Sequence, residues 1–236
     1  DEEAQFYIYR QTTEFGIFQG IIAGASVEDY QSNIIKKHEN TIQNRENIFK
    51  KYLDITNFHA EPVLLAYNPT KLIKQIISQN ILERPEYEFT TTDRKVHELW
   101  LVNQPDVISK IKEEFKFINN IYIADGHHRI ASSSIYQQSK HNHFLSNYFL
   151  SFFIDQKELK IFEFNRYIKS ISPLNEEEFL EKIKINFNLK LLEEHQPPGS
   201  KTELSIYLKN KWYLIKIKPQ KISNDFKSQL NSQIVS

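Results

Sequence analysis

The sequence predicts a mixed α/β (α+β) fold, because apolar, strand-like segments alternate with helix-like segments along the first part of its 236 residues. After the polar loop His141-Asn142-His143, the pattern changes to hairpins around a single helix. We therefore expect an α/β core over residues 1–145 and a β-rich lobe over residues 146–236, packed on the core.

Short runs rich in β-branched and aromatic residues predict the strands of the core. They cover residues 6–10, 17–27, 62–67, 96–102 and 121–124. The third run is almost wholly apolar, which is typical of a strand buried on both faces. Helical spacing of apolar residues, and Pro105 before the third helix, predict the helices. These cover residues 27–57, 70–80, 106–117 and 130–138.

The second part is predicted to form a hairpin, a helix and a second hairpin. Residues 148–154 and 159–164 would form the first hairpin. Residues 203–208 and 211–217 would form the second, with Asn210 in its turn. The helix, residues 176–186, follows the segment Ser172-Pro173-Leu174-Asn175.

Composition and charge exclude several classes of protein. Thirty Lys and Arg residues balance thirty Asp and Glu residues, whereas proteins that bind nucleic acid by bulk electrostatics carry a basic excess. No apolar run approaches the ~20 residues of a membrane-spanning helix. The absence of cysteine excludes thiolate metal sites and cysteine nucleophiles, and it predicts a cytoplasmic protein. Methionine is absent even at position 1, so we expect the central part of a longer protein.

Residues 121–135 predict a strand, a tight turn and a helix in close succession. The apolar strand ends at Ala124, Gly126 makes the turn, and the helix begins at His127 or His128. A helix start offers free N–H groups and the positive end of the helix dipole. Glycine lets a ligand approach the backbone closely.

Three basic side chains crowd this helix start, namely His127, His128 and Arg129. Cations there oppose the helix dipole, and an anionic ligand would resolve the conflict. Asp125, just before the glycine, is a candidate to orient one histidine or to bind Mg²⁺. The alternative is that Asp125 caps the helix and the basic residues lie on the surface. We favour the anion site, with a nucleotide phosphate as the anion.

A second group of polar residues follows from the predicted helix over residues 27–57. His38 and Arg45 fall on the same helical face as four apolar residues, and Lys37 and Glu39 lie on neighbouring faces. The apolar residues are Ile35, Ile42, Phe49 and Tyr52. A buried arginine needs a partner, because desolvating an unpaired charge is costly. His38 and Arg45 therefore either pair with core carboxylates or line a pocket with residues 125–129, and we favour the pocket.

The run Ile-Ala-Asp-Gly-His-His-Arg at residues 123–129, with a helix of small residues after it, resembles the hallmark of domain-of-unknown-function family 1015. Further segments resemble the family in the same order along the chain. They are Tyr9-Arg10-Gln11, residues 35–41 with Arg45, Glu61-Pro62-Val63, His97-Glu98-Leu99-Trp100, Asn147-Tyr148-Phe149 and residues 230–234. Asn40 departs from the family pattern, in which an arginine commonly stands near the His-Glu pair.

The family is similar, through its Gly-x-x-Arg turn, to the ParB/sulfiredoxin superfamily, whose members bind nucleotide phosphates at this turn. The resemblance implies a ParB/sulfiredoxin-like core with a phosphate site at Gly126, His127, His128 and Arg129. We add Lys37 and Arg45 as candidate phosphate contacts. Some superfamily members are kinases of free serine and others are nucleotide-gated DNA clamps, so the resemblance implies no single reaction.

Three functions are consistent with this site. The first, which we favour, is transfer of a phosphoryl group from ATP or ADP to a small hydroxyl metabolite, or hydrolysis of the nucleotide. Glu39 or Asp125 would act as the base or as a Mg²⁺ ligand, and His38 is an alternative proton carrier. The second is a nucleotide-responsive binding protein without turnover. The third, a metal-dependent hydrolase that uses the two histidines, has too few candidate ligands. The expected partners are small molecules, and neither nucleic acid nor a membrane.

Overall fold

An eight-stranded mixed sheet organises the first of two compact units, residues 1–161. The computed structural model describes residues 5–140, 143–160, 162, 165–200 and 202–219. The strands of this sheet are β1 (Phe6–Thr13), β2 (Gly16–Ser26), β3 (Ile35–Lys36), β4 (Val63–Tyr67), β5 (Tyr87–Thr90), β6 (Val96–Val102), β7 (Ile121–Asp125) and β8 (Tyr148–Asp155). Their spatial order is β3-β7-β4-β8-β2-β1-β6-β5. The predicted mixed α/β class is confirmed.

Four helices of this unit contribute to one apolar core with the sheet. They are α1 (Val27–Gln31), α3 (Lys71–Asn80), α4 (Pro105–Lys116) and α5 (His127–Ser139). A fifth helix, α2 (Gln43–Thr56), contacts α5 outside this core. Ile73 of α3, Ile111 of α4 and Ile130 of α5 are almost fully buried in a cluster with Ile8 and Leu65 of the sheet. Burial of each such side chain contributes about 1.5–3 kcal/mol, so this cluster fixes the helices on the sheet. None of the described helices is long and apolar enough to cross a membrane.

Most of the predicted elements of this unit are confirmed. The five predicted strands correspond to β1, β2, β4, β6 and β7, and the last three predicted helices to α3, α4 and α5. The short edge strand β5 is not predicted, because its four residues are all exposed and carry no buried face.

Strand β4 positions the turn that follows β7. It runs antiparallel to β7 and parallel to β8. The pairing with β7 shifts in register, so that Leu64 stands opposite Asp125 and Leu65 stands opposite Ile123. The end of β7 therefore lies beside the start of β4, whereas β4 and β8 end together at the other end of the strands.

The predicted helix over residues 27–57 is confirmed at its two ends, as α1 and α2, but it is wrong for residues 32–42 between them. Ser26 caps α1, which ends after five residues. Asn33 then adopts a left-handed conformation with φ of 64°. The chain extends from there, and Ile35–Lys36 pairs with β7 as a short parallel strand. Pairing with a strand that is distant in the sequence, and not helical packing, buries Ile35.

His38 and Arg45 consequently do not share a helical face. His38 lies in the loop before α2, whereas Arg45 lies in the first turn of α2. The apolar stripe that suggested a common face is not buried, since Ile42 and Phe49 are exposed. The helical spacing therefore holds only for Arg45, Phe49 and Tyr52, which lie on α2, and not for the residues before it.

The first predicted hairpin is also wrong, and the structural division of the chain differs from the predicted one. β8 pairs with β2 on one side and with β4 on the other, and not with residues 159–164. Its side chains suit a central strand, since Phe149, Phe153 and Ile154 are almost fully buried. Because β8 belongs to the large sheet, the two units divide after Ile161 instead of after residue 145. Residues 161, 163 and 164 of the predicted hairpin lie outside the described residues.

The second unit, residues 162–236, is described as one helix and a three-stranded antiparallel sheet. Its elements are α6 (Glu176–Asn186), β9 (Phe187–Leu192), β10 (Glu203–Leu208) and β11 (Lys211–Ile217), with the strands in the order β10-β11-β9. The predicted helix and second hairpin are confirmed. Lys209 and Asn210 both have positive φ, as a two-residue turn between twisted strands requires. Packing of this lobe on the core stays a prediction.

Gly20 in β2 is predicted to tolerate no side chain. A Cβ atom at this position would lie 1.9 Å from the carbonyl oxygen of Phe153 in the paired strand β8. Because the obstacle is backbone, Gly20→Ala must push the two strands apart. We expect a loss of about 1–3 kcal/mol or more in the free energy of unfolding, measured by urea denaturation.

Gly24 of the same strand provides the matched control. A Cβ atom there would meet only the side chain of Tyr148, at 3.3 Å. Gly24→Ala should therefore cost clearly less than Gly20→Ala. Equal losses for the two variants would contradict the register of β2 on β8.

Candidate functional site

The turn between β7 and α5 has the strand–turn–helix form that the sequence predicts. β7 ends at Asp125, Gly126 adopts a left-handed conformation with φ of 99°, and α5 begins at His127. A Cβ atom on Gly126 would also lie only 3.1 Å from Nε of Arg129. No side chain caps this helix start, so the N–H groups of its first turn have no acceptor within the helix.

Arg129 fixes this turn against the start of β4. Its Nη1 donates a hydrogen bond of 2.6 Å to the carbonyl oxygen of Pro62 and lies 3.3 Å from Oε2 of Glu61. Its Nη2 donates to Oδ2 of Asp125. One guanidinium thus links the residues before β4, the end of β7 and the first turn of α5. These contacts give Arg129 a positioning role, and its predicted role as a phosphate ligand stays a prediction.

His127 is the buried side chain of the site. The residue is 6% exposed, and its Nε2 has no hydrogen-bond partner among the described residues. Its ring packs edge-on against that of His38, with centroids 4.2 Å apart, and its Nδ1 lies 4.0 Å from Oε2 of Glu39. Burial lowers the pKa of His127 to about 4, and His38 adds to the lowering, while Glu39 opposes it. His127 is therefore neutral at pH 7.

His128 joins the starts of two helices. Its Nε2 accepts a hydrogen bond of 3.1 Å from the N–H of Ile42. Nε2 is therefore the acceptor nitrogen of this ring, and Nδ1 is the donor nitrogen. Ile42 precedes α2, which also lacks a side-chain cap. Side chains cap α1, α3 and α6, whereas α4 begins with Pro105 and also has no side-chain cap. Two uncapped helix starts therefore meet at His128.

The contacts of the three basic residues change the electrostatic argument for an anion. The sequence predicts three cations at the start of α5, but His127 is neutral, Nε2 of His128 accepts from a backbone N–H, and Arg129 is paired with Asp125 and Glu61. The conflict with the helix dipole is thus relieved without a ligand. An anion that binds here would be held by uncapped N–H groups and the helix dipole more than by cationic side chains.

The other predicted residues lie at different distances from the turn. His38 and Glu39 reach it through His127. Lys37 is exposed, and its ammonium group lies 4.0 Å above the ring of Tyr30. Arg45 is exposed in the first turn of α2, three residues after Ile42. The phosphate contacts predicted for Lys37 and Arg45 stay predictions.

Two groups that contact the turn are not predicted from the sequence. The backbone N–H of Ile42 and the carboxylate of Glu61 both contact the turn. The first is a backbone group at an apolar residue, which no side-chain pattern can reveal. The second stands in the segment Glu61-Pro62-Val63, which resembles the family but carries no assigned role. The family resemblance was therefore the available signal for Glu61.

Exposed carboxylates beside the turn are the candidate ligands for a cation. Among the described residues, no group of three or more His, Asp or Glu side chains could hold a metal ion. Asp125 and Glu61, however, flank Arg129 with exposed carboxylates. Mg²⁺ is commonly held by one or two carboxylates together with substrate phosphates and water. Both carboxylates are paired with Arg129, and the predicted Mg²⁺ contact of Asp125 stays a prediction.

Comparison with known proteins adds the family. A family model described as protein of unknown function, DUF1015, matches residues 1–233. The chain belongs to the DUF1015 family. The resemblance seen in the sequence is thereby confirmed, while the further relation of DUF1015 to the ParB/sulfiredoxin superfamily stays a prediction. No curated protein and no solved structure matches this DUF1015 chain. Its function must therefore be argued from the site.

The buried, neutral His127 is predicted to make the protein less stable in mild acid. A histidine in the unfolded chain binds a proton near pH 6.5, whereas folded His127 has a pKa of about 4. Between these values the unfolded chain binds more protons, so the free energy of unfolding falls as the pH is lowered from 6.5 to 4.

Urea denaturation across this pH range tests the assignment. His127→Asn should remove a slope of up to about 1.4 kcal/mol per pH unit, because asparagine does not titrate. The comparison uses the slope, so a uniform loss of stability in the variant does not affect it. A variant that keeps the wild-type slope would show that His127 is not the buried neutral group.

Proposed function

We propose that this DUF1015 protein is a cytoplasmic enzyme that binds a nucleotide by its phosphates at the start of α5. It transfers the terminal phosphoryl group to a small hydroxyl metabolite, or to water. The observation that carries the proposal is the uncapped start of α5 behind the left-handed Gly126, beside the buried His127 with its unpartnered Nε2. The resemblance of this turn to the ParB/sulfiredoxin superfamily supports the same ligand.

Phosphate binding uses backbone donors that are already in place. The N–H groups of His127, His128 and Arg129 belong to the first turn of α5 and point out of the helix start. His128 adds a further donor through Nδ1, because its Nε2 is used by Ile42. Gly126 has no Cβ, which leaves room for the guanidinium of Arg129 beside the turn that carries these donors.

Glu39 is the proposed general base. Its carboxylate is exposed and lies beside the neutral ring of His127, 4.0 Å from Nδ1. In the transfer step, the acceptor hydroxyl oxygen forms a bond to the terminal phosphorus and its proton passes to Glu39. The bond from that phosphorus to the bridging oxygen breaks, and the shortened nucleotide leaves. His38, packed against His127, is the alternative proton carrier.

Asp125, Glu61 and Arg129 form the other side of the proposed site. Arg129 holds the turn through its contacts to Pro62, Glu61 and Asp125, and so positions the N–H donors. Asp125 and Glu61 would hold Mg²⁺ that arrives with the nucleotide, and this ion would neutralise part of the phosphate charge.

The proposal predicts both nucleotide binding and turnover. With Mg²⁺ present, ATP or ADP at a hundred times its Kd should stabilise the chain by about 2.7 kcal/mol, a shift of roughly 5–11 °C in Tm for a protein of this size. Phosphate or a phosphorylated product should accumulate beyond one equivalent, with L-serine as the first acceptor tested. Stabilisation without turnover would favour the nucleotide-responsive binding protein instead, and no stabilisation by any nucleotide would exclude both.

Substitution of the proposed base separates catalysis from binding. Glu39→Gln should lower kcat by about 10²–10⁴-fold and leave the nucleotide-induced shift in Tm unchanged, because an amide cannot accept the proton. Glu14→Gln is the matched control, since Glu14 is exposed in the turn between β1 and β2. Wild-type kcat in Glu39→Gln would contradict the role of Glu39.

A further inference from the structure

A cavity of about 330 Å³ lies at the other end of β4 from the α5 turn. Tyr67 and Asp155, the last residues of the parallel strands β4 and β8, line it together with residues of α3. This volume is at the lower end of the range for small-molecule sites. Crevices at the carboxyl ends of parallel strands are also the usual ligand sites of open α/β sheets.

The side chain of Tyr67 places a hydroxyl group without a hydrogen-bond partner among the described residues at this cavity. The residue is 1% exposed, and its ring stacks on Phe115 with centroids 5.2 Å apart and contacts Phe153 edge-on. Within the described part of the chain, the Tyr67 hydroxyl makes no hydrogen bond. Burial raises the pKa of Tyr67, and the charges of Asp155 and Glu158 raise it further. The hydroxyl therefore stays protonated and is held in place without a partner.

The two carboxylates of the cavity differ in their hydrogen-bond and ion-pair partners. Asp155 accepts hydrogen bonds from Nζ of Lys74 at 2.6 Å and from the N–H of Lys157 at 2.9 Å. Glu158 accepts one bond, from the N–H of Gln19 at 3.2 Å, and it forms no ion pair with any described residue. Burial raises the pKa of the Glu158 carboxyl group, and the charge of Asp155 adds to this, while Lys74 opposes it. Because the ammonium group of Lys74 is paired with Asp155, Glu158 is the half-buried carboxylate that a ligand cation would satisfy.

We propose that this cavity binds a small organic amine, whose ammonium group pairs with Glu158 and whose second polar group meets the hydroxyl of Tyr67. An anion is disfavoured, because the charges of Asp155 and Glu158 outweigh that of Lys74. A neutral ligand would leave Glu158 unpaired. A metal ion lacks a third ligand, in keeping with the absence of such a group from the described residues. Pro69 and Ile77 supply apolar contact for the carbon chain of an amine.

This site is independent of the proposed nucleotide site. None of its lining residues belongs to the α5 turn, and the two sites lie at opposite ends of β4. Failure of nucleotide binding would therefore leave the amine proposal untouched, and the reverse also holds.

Titration of the whole chain with small amines tests the proposal. The probes are 2-aminoethanol, 1,4-diaminobutane and agmatine. Their binding is measured by isothermal titration calorimetry or by ligand-observed NMR. At least one should bind saturably, and 1,2-ethanediol, which lacks the ammonium group, should bind at least about tenfold more weakly. Glu158→Gln should weaken the amine by a similar factor, whereas Glu14→Gln should leave its affinity unchanged.

A surface variant keeps the test decisive if the Glu158→Gln protein does not fold. Gln75 is exposed on α3 and lines the cavity, so Gln75→Lys places a second ammonium group at its rim without touching the core. This variant should fold as the wild type by circular dichroism and bind the amine at least about tenfold more weakly. The proposal is overturned if no amine of the panel binds saturably, or if folded Gln75→Lys binds with wild-type affinity.

Discussion

The guanidinium of Arg129 is the contact on which the candidate site depends. It bonds to the carbonyl oxygen of Pro62 and to Asp125, and it pairs with Glu61, so it ties the turn at residues 125–129 to a segment that is distant in the sequence. Because its donors face protein acceptors, the groups left for a ligand are the backbone N–H groups of α5 and the histidines. His128 then adds the start of α2 through its bond to Ile42. The candidate site thus consists mainly of backbone N–H groups, which the side chain of Arg129 holds in position.

The elements that the sequence predicts correctly are those that depend on neighbouring residues in the chain. The turn at Gly126 follows from an apolar run that ends at a glycine, and the hairpin around Asn210 follows from its turn residues, so both depend on neighbours in the chain. The prediction of one helix over residues 27–57 is wrong between α1 and α2 for the opposite reason. Ile35 is buried by pairing with β7, and β8 is placed by pairing with β2 and β4. Such long-range pairings leave little trace in the spacing of apolar residues.

The sequence predicts the position of the two histidines but not their protonation or hydrogen bonds. The sequence places His127 and His128 at a helix start, yet it cannot show that burial keeps the first neutral or that the second accepts from a backbone N–H. The sequence predicts His38 near the turn from a helix that the structure does not contain at that residue. The structure nevertheless places the His38 ring against His127. Protonation depends on tertiary packing, and for that reason a motif alone gives the wrong electrostatic account.

The most direct test of the account is an NMR titration of the backbone amides with ADP and Mg²⁺. If phosphate binds at the start of α5, the amide resonances of His127, His128 and Arg129 should shift together and saturate with one Kd, because their N–H groups donate to it. Resonances at the far end of β4, around Tyr67, should stay in place. Saturable shifts elsewhere in the chain, with these three amides unmoved, would contradict the account.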